Sequence, residues 1–533
     1  MTNITCELRP TQVEFLDTDI WLMLTSVALR RPEHPALHWS SPGLDRSWTY
    51  AQFCDDVESV AAGLFRRGVR RGSPVAIHLE NSPAFLMLWF ACARLGAVAV
   101  DVNAKYSYDE LEHTFSLIHP VGVVTNSIAV VDAANTAGWS HFVDSEIGTV
   151  DDLFDNRDIL PADDADPDAP VCIQFTSGST DRPKAVVYTH ANALWAARES
   201  ASHWRLRPDD VQLIFAPLFH TLALFWQTLS TMSVGGTIVL QAKFSASRFW
   251  EVSTRYRCTR SAYLPLIRHI FGNEPVPPHD FRSWISGAQE PELAGHFKVT
   301  LFSGWGMTET VTQPIFGHTG DGTGDGAIGR VAHGYEVRIE RDDGTPVVPG
   351  EAGDLLIRGV RGLSIFCEYF ADPEATSQAF DANGFFRTGD RVRLLASGSI
   401  EFVDRSKDML KVGGENVAAS EIERVVRSVP GVLDAAAVAR PDALLGQVPV
   451  VFVLPLEARD TDLLTSHVVA KCELLLADFK VPRSVFFVND FPRAINKVHK
   501  ARLRETLRRL DADGRTGGLV EGASSYGDIT PSV

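Results

Sequence analysis

A chain of 533 residues exceeds what one hydrophobic core organises and implies two or three domains. Its 45% hydrophobic and 22% charged residues describe a globular protein, and 50 Lys+Arg against 67 Asp+Glu leave a formal charge of −17. That balance excludes general adhesion to nucleic acid or to anionic membrane, so a polyanionic ligand would need cations placed locally.

The N-terminus, Met1 to Glu7, has neither a basic start nor an apolar run, and no secretory signal is read there. Ser47-Trp48-Thr49-Tyr50 leads into an amphipathic helix expected over 51–67, with Phe53, Val57, Val60, Ala61 and Leu64 on one face. Residues 75–79 follow as a strand. The most apolar window, Ala84 to Val100, is interrupted by Arg94 and Gly96 and falls short of a membrane span; it reads as a core helix running into a buried strand. Val171 to Phe175 is a second apolar run of strand length. Gly317 to Gly326, "GHTGDGTGDG", reads as a mobile surface loop.

After Asp390 the hairpin-like "RVRLLASGSIEFVDR" precedes a short basic segment and a βαβ-like region. A domain boundary is expected at 404/405, giving residues 1–404 and 405–533. From Asp511 the chain is rich in Gly, Ser, Asp and Thr, a composition that predicts disorder. Short apolar runs alternate with amphipathic helices for most of the length, the pattern of an α/β protein with sheets covered by helices. Seven scattered cysteines, never in a C-x-x-C pair, fit a reduced cytoplasmic setting without disulfides or structural zinc.

Thr176 to Val186, "TSGSTDRPKAV", offers hydroxyls, Gly178 and Lys184 directly after a buried strand, the makings of an anion cradle. A Ser/Thr/Gly-rich solvated turn is the alternative. The phosphoryl-transfer loop G-x-x-x-x-G-K-[ST] does not fit: Pro183 stands where its second glycine belongs and Ala185 where its metal-binding hydroxyl belongs.

Further segments line up with this loop in order: "PLFH" (Pro217 to His220), "SGA" (Ser286 to Ala288), "GWGMTET" (Gly304 to Thr310), "FFRTGD" (Phe385 to Asp390), "DRSKDMLKVGGENVAASEIE" (Asp404 to Glu423) and "PRAINKVHKARLR" (Pro492 to Arg504). In that order and at those separations they resemble the adenylate-forming superfamily of acyl- and aryl-CoA synthetases, firefly luciferase and peptide-synthetase adenylation domains. The resemblance runs from about Trp48 to Arg504 and implies a large N-terminal domain of helix-covered sheets plus a small mobile α+β C-terminal domain. It also implies ATP, Mg2+ and coenzyme A as cofactors and a carboxylic acid as substrate. An acyl carrier protein is the alternative acceptor; nucleic acid and a membrane span are not expected, and a homodimer is one open assembly.

By this resemblance Thr176, Ser177, Gly178, Ser179, Thr180 and Lys184 hold the β- and γ-phosphates of ATP. Gly287, Ala288, Trp305 and Gly306 border the nucleotide, Trp305 standing where a tyrosine that stacks on adenine is usual. Thr308 is a phosphate ligand and Glu309 the magnesium ligand; alone, a Thr-Glu pair at a helix start is an ordinary cap. Asp390 takes the ribose hydroxyls, two-oxygen acceptor that it is, and Arg405 binds ribose or phosphate. Lys497 is the catalytic cation at the α-phosphate, although a lysine in a basic run is otherwise a solvated charge. Lys407 is the hinge about which the small domain turns between adenylation and thioester formation, and Gly413, Gly414 and Glu415 then form part of a pantetheine tunnel. As glycines, Gly413 and Gly414 also suit a plain tight turn.

His220 resembles the gate beside the acyl pocket, with Thr221, Leu224 and Phe225 lining it. The stretch "HTLALFWQTLS" holds no acidic residue to pair an α-ammonium, which disfavours α-amino acids and points to a hydrophobic or aromatic acid. Departures from the family pattern are Asp181 and Ala185 in the phosphate loop and Asn496 before Lys497. The stretch from Ser286 to Gly304 is short, with little room for the customary helix, which suggests an open site for a bulky acid. A degenerate nucleotide-binding homologue is the rival that these departures motivate.

Overall fold

The computed structural model describes residues 15–519 apart from residues 16–17, 107, 129, 132–140, 145–152, 156–159, 163, 177–182, 264–266, 268–270, 272–274, 323, 325, 342, 406–408, 457–460, 492, 495–496, 499, 513 and 516. The helix at the centre of the large N-terminal domain explains how its layers hold together. Ser82 caps Pro83–Leu95 by accepting from the Phe85 N–H, Pro83 occupies the first turn, and Gly96 ends the helix in the left-handed region at φ +63°. Every residue in it except Arg94 is buried, so it lies enclosed between sheets instead of on a surface. Leu88→Ala in such surroundings would cost about 2–5 kcal/mol.

One sheet carries the strand Pro74–His78 in parallel between Val98–Asp101 and Gly122–Thr125. Val98–Asp101 pairs in parallel with Pro170–Thr176, which returns antiparallel as Lys184–Thr189, with Glu368–Tyr369 added antiparallel at the edge. The second sheet sets Pro35–Ser41, Thr237–Leu240, Val211–Ile214, Arg260–Ala262, Ser283–Ser286 and Thr300–Trp305 side by side in parallel. Beyond Thr300–Trp305 it continues antiparallel through Ile315–His318 and Ala327–Val331 to Ile400–Arg405 and Phe386–Leu394. Both sheets contribute to one apolar core around Trp89, Phe85 and Phe225.

The small C-terminal domain has its own sheet and its own apolar clusters, built from residue 410 onward. The hairpin Met409–Val412/Glu415–Ala418 turns at Gly413 and Gly414, both with positive φ (+60° and +88°), the backbone that a two-residue turn between twisted strands demands. Lys480 docks the two domains together: its ammonium bonds Glu110 on the large-domain helix Tyr108–Ile118 and lies 2.9 Å from Glu421 on the small-domain helix Ala419–Arg427.

The helix expected over 51–67 is found as Tyr50–Arg66, opened by a capping box between Thr49 and Gln52. The hairpin expected in 391–405 is found between Phe386–Leu394 and Ile400–Arg405. Three expectations change. The stretch after Ser286 does hold a helix, Pro291–Phe297, ended by Lys298 at φ +54°, so shortness there did not remove it. Gly317 and His318 belong to a strand, so the loop begins later than expected, and the glycines Gly320, Gly322, Gly324 and Gly326 take positive φ. The tail expected to be disordered begins inside a helix: Lys500–Ala512 is anchored to the sheet by Leu503, Leu507 and Leu510, and Gly518–Leu519 pairs in parallel with Phe486-Phe487, while residues 520–533 lie outside the described residues.

Candidate active site

Thr176 and Lys184 stand opposite each other in the antiparallel register of their strands, so the chain between them leaves and re-enters the sheet at one point. Ser177, Gly178, Ser179, Thr180 and Asp181 lie outside the described residues, as do Lys407 and Asn496. The Lys184 ammonium sits over the ring of Tyr369, 4.4 Å from its centroid, within the reach of a cation–π contact. The hydroxyl of that same tyrosine donates to Glu309 Oε1 at 2.9 Å. Burial and the Glu309 charge push the Tyr369 hydroxyl far up, so it stays a donor.

Thr308 and Glu309 form a single 3-10 turn directly after the strand Thr300–Trp305. Its backbone is clamped from two sides: Tyr188 donates to the Thr308 carbonyl at 2.6 Å, and the Phe366 N–H bonds the Glu309 carbonyl at 3.0 Å. Val311 leaves the turn at φ +64°, a strained backbone for a β-branched residue, and Trp226 donates its indole N–H to the Val311 carbonyl at 2.8 Å. The same indole packs on Gly306, where a Cβ would come within 2.8 Å of the ring. Gly306 is thus required by close approach, independently of any ligand.

Trp305, expected beside the nucleotide base, is buried and donates its indole N–H to Asp390 Oδ2 at 2.9 Å. Asp390 is itself almost fully buried, and its strand pairs it with Arg405, of which only the backbone is described. Gly287 and Ala288 follow the strand Ser283–Ser286, with the Ser286 hydroxyl donating to the Ala288 carbonyl at 2.9 Å. Lys184, Thr308 and Glu309 on one side and Trp305 and Asp390 on the other therefore meet at the same short segment, 305–309.

His220 Nε2 lies 2.7 Å from Glu415 Oε2, a contact between the large and the small domain. Burial would raise the Glu415 carboxyl, but His220, Lys105 and Lys480 outweigh it and hold the group below the ordinary glutamate range. Gly413 and Gly414 are carried to the same interface by their hairpin; a Cβ at Gly414 would meet nothing within 4 Å, so there the glycine answers to backbone angle and not to crowding.

The residues after His220 form a π-helix, Leu222–Leu229, a form that recurs at functional sites. Thr221 donates to Gln174 Oε1 at 3.0 Å, and Gln174 in turn donates to the fully buried Asp101 at 3.0 Å. Leu224 and Phe225 are fully buried in the large core, Phe225 against Tyr188 and Trp89. Lys497 begins the short strand Lys497–Val498, paired with Arg493-Ala494; its backbone alone is described.

Tyr369, Tyr188 and Trp226 went unnoticed in the sequence. Tyr369 stands in "FCEYF", which carries no chemical signature; it reaches the site only because Glu368–Tyr369 pairs beside Val186 and Val187, two strand positions beyond Lys184.

Family models place this geometry. The AMP-binding enzyme model matches residues 24–370, and the AMP-binding enzyme C-terminal domain matches residues 421–497. The chain belongs to the AMP-binding enzyme family. A crotonobetaine/carnitine–CoA ligase of Salmonella typhimurium is 32% identical to it over 496 residues, covering 87% of this chain and 94% of that one. A double mutant of o-succinylbenzoate CoA synthetase from Bacillus subtilis, bound with its product analogue OSB-NCoA, superposes with a TM-score of 0.80 at 26% identity, over 92% of this chain and 98% of that one. The B. subtilis synthetase in complex with AMP gives a TM-score of 0.65 at 25% identity, over 91% and 98%. Among the described residues of this AMP-binding enzyme, no helix is long and apolar enough to cross a membrane.

Proposed function

We propose that this protein is an ATP-dependent acyl-CoA synthetase that joins a hydrophobic or aromatic carboxylic acid to AMP with release of pyrophosphate, then transfers the acyl group to CoA with release of AMP. The observation that carries the reading is the 2.7 Å contact between His220 and Glu415. It brings the small-domain hairpin of Gly413 and Gly414 to the candidate acyl gate, the arrangement that a thiol attack on an acyl adenylate requires. The higher TM-score to the product-analogue complex than to the AMP complex supports the same arrangement.

The division of labour follows from the chemistry. Attack of a carboxylate on the α-phosphorus needs negative charge neutralised on the phosphates in a site that keeps water from the adenylate. We assign the β- and γ-phosphates to Thr176, Lys184 and the loop between them, and the ribose to Asp390. Glu309, a buried carboxylate beside the lysine, suits a hard cation that takes one or two protein oxygens and completes its shell from substrate phosphates. Bound there, Mg2+ would neutralise phosphate charge. Lys497 supplies the cation at the α-phosphate when the small domain turns about Lys407, with residues 1–404 and 405–533 as the two bodies.

For the acid, no acidic side chain lies between His220 and Ser230, and the buried Thr221, Leu224 and Phe225 present one hydroxyl amid apolar groups. The relatives named above act on chemically different acids, so the acid follows from this pocket and not from them. The test is carboxylate-dependent exchange of labelled pyrophosphate into ATP across aromatic, medium-chain, branched and polycyclic acids, with CoA then added to each responder. Exchange followed by thioester formation is expected. Exchange without turnover on free CoA would point to a carrier protein as acceptor, and ATP binding without exchange on any acid would overturn the reading.

A further inference from the structure

Tyr369 touches both charged groups of the phosphate side at once. Its ring face receives the Lys184 ammonium at 4.4 Å and its hydroxyl donates to Glu309 at 2.9 Å. A phenol is suited to this: the π face is electronegative and attracts a cation, while the O–H is electropositive and attracts a carboxylate. The two opposite charges are thereby satisfied by different parts of one neutral side chain. Direct attraction between them would otherwise draw the flexible lysine onto the buried carboxylate, and an ammonium–carboxylate pair would have neither its cation free for phosphate nor its oxygens free for a metal ion.

The tyrosine is also well fixed. Its backbone pairs opposite Val186, its N–H donates to the Thr376 hydroxyl at 3.0 Å, and its ring packs on Phe366 at 4.8 Å. The Thr308–Glu309 backbone is held separately, by Tyr188 and by the Phe366 N–H, so removing the Tyr369 hydroxyl leaves that turn clamped.

We propose that Tyr369 is a positioning residue of the adenylation half-reaction, holding Lys184 and Glu309 apart so that one meets the ATP polyphosphate and the other meets its magnesium ion. The inference rests on the functional reading above and deepens it. Tyr369 makes no bond to the reacting atoms; it acts through the two groups it orients. Because thioester formation starts from an adenylate whose pyrophosphate has left, it does not depend on this pair.

The experiment compares the full chain with Tyr369→Phe, which keeps the ring and loses the hydroxyl, and Tyr369→Leu, which loses both. Pyrophosphate exchange is titrated with Mg2+ and with ATP, and thioester formation is followed from supplied acyl adenylate and CoA. Tyr369→Phe is expected to raise the Mg2+ concentration for half-maximal exchange by about tenfold or more, with the KM for ATP little changed, as befits loss of a charge-assisted hydrogen bond. Tyr369→Leu should raise both, and neither variant should slow the thioester step. A second readout needs no turnover: calorimetric binding of α,β-methylene ATP with Mg2+ and with EDTA, where the gain from Mg2+ shrinks in Tyr369→Phe. Wild-type Mg2+ dependence in Tyr369→Phe, or parallel loss of both half-reactions, overturns the proposal. If the wild-type chain exchanges with no acid, the functional reading fails, and the calorimetric comparison still decides the role of Tyr369.

Discussion

The indole N–H of Trp305 reaches Asp390 Oδ2 at 2.9 Å, tying the end of a parallel strand to a carboxylate on an antiparallel strand that is not its neighbour in the sheet. Both residues are buried, so this hydrogen bond fixes where the acidic oxygens point without help from solvent. Trp305→Phe keeps an aromatic ring and removes the donor. A bond of this kind to a charged group is worth about 1.5–3 kcal/mol, so the KM for ATP should rise about tenfold or more with kcat little changed. An unchanged KM in steady-state pyrophosphate exchange would show that Asp390 is oriented without the indole.

The contact between His220 and Glu415 separates the two half-reactions in a different way. In the proposed cycle the contact forms while the small domain presents its Gly413-Gly414 hairpin, which assigns it to the thioester step. His220 is part-exposed, which screens the interaction and limits its strength. Glu415→Ala should slow acyl transfer from supplied adenylate to CoA by about tenfold and leave pyrophosphate exchange within about twofold. Equal loss in both assays would refute the assignment of this contact to one step.

Much of this site was legible because its chemistry is local. A hydroxyl-rich segment after a buried strand, a Thr-Glu pair and a carboxylate in "RTGD" each sit in a few consecutive residues, and their order along the chain carried the resemblance. The expected helix over 51–67 and the 391–405 hairpin were equally local, set by apolar period and by a capping box. What escaped notice depends on strand pairing across long sequence separations. Nothing near Tyr369 announces that it will lie against Lys184, and nothing near Trp305 announces that its N–H will be turned to Asp390. Composition gave no sign of the Gly518-Leu519 pairing for a related reason: the segment has little to bury by itself, yet a neighbouring strand supplies its hydrogen-bond partners.

Lys497 and Lys500 make contrasting predictions. The Lys500 ammonium lies 2.6 Å from Glu423 and serves the packing of the small domain. Lys497 is the cation proposed for the α-phosphate. Lys497→Ala should reduce pyrophosphate exchange by about 10²–10³, the scale of losing one group that stabilises developing charge, while acyl transfer from supplied adenylate persists. Lys500→Ala should lower thermal stability and leave the ratio of the two half-reactions unchanged. The reverse pattern would move the catalytic role to Lys500.

Docking of the two domains should depend on pH through the cluster of Lys480, Glu421 and Glu110. Burial and the neighbouring Glu110 raise Glu421 to about 7 against the lowering effect of Lys480, while in an undocked small domain it returns toward 4.5. The docked state therefore binds a proton that the undocked state releases. Its extra stability is fully present below about pH 4.5 and is lost as pH rises through about 7. Lys480 is itself pushed up by the two glutamates and stays charged throughout this window, and the nearby Tyr106 hydroxyl is raised by burial, so neither adds a slope there. Glu415, which also faces this interface, is held below the ordinary glutamate range and keeps its charge over the same window. The ratio of docked to undocked molecules should fall about tenfold between pH 6 and pH 8, measured as energy transfer between one dye on each domain. Glu110→Gln removes the carboxylate that raises Glu421, so the pH dependence should flatten in that variant, while the glutamine carbonyl still accepts from Lys480 and the His220–Glu415 contact still spans the two domains. A slope identical in wild type and Glu110→Gln would place the titrating group elsewhere.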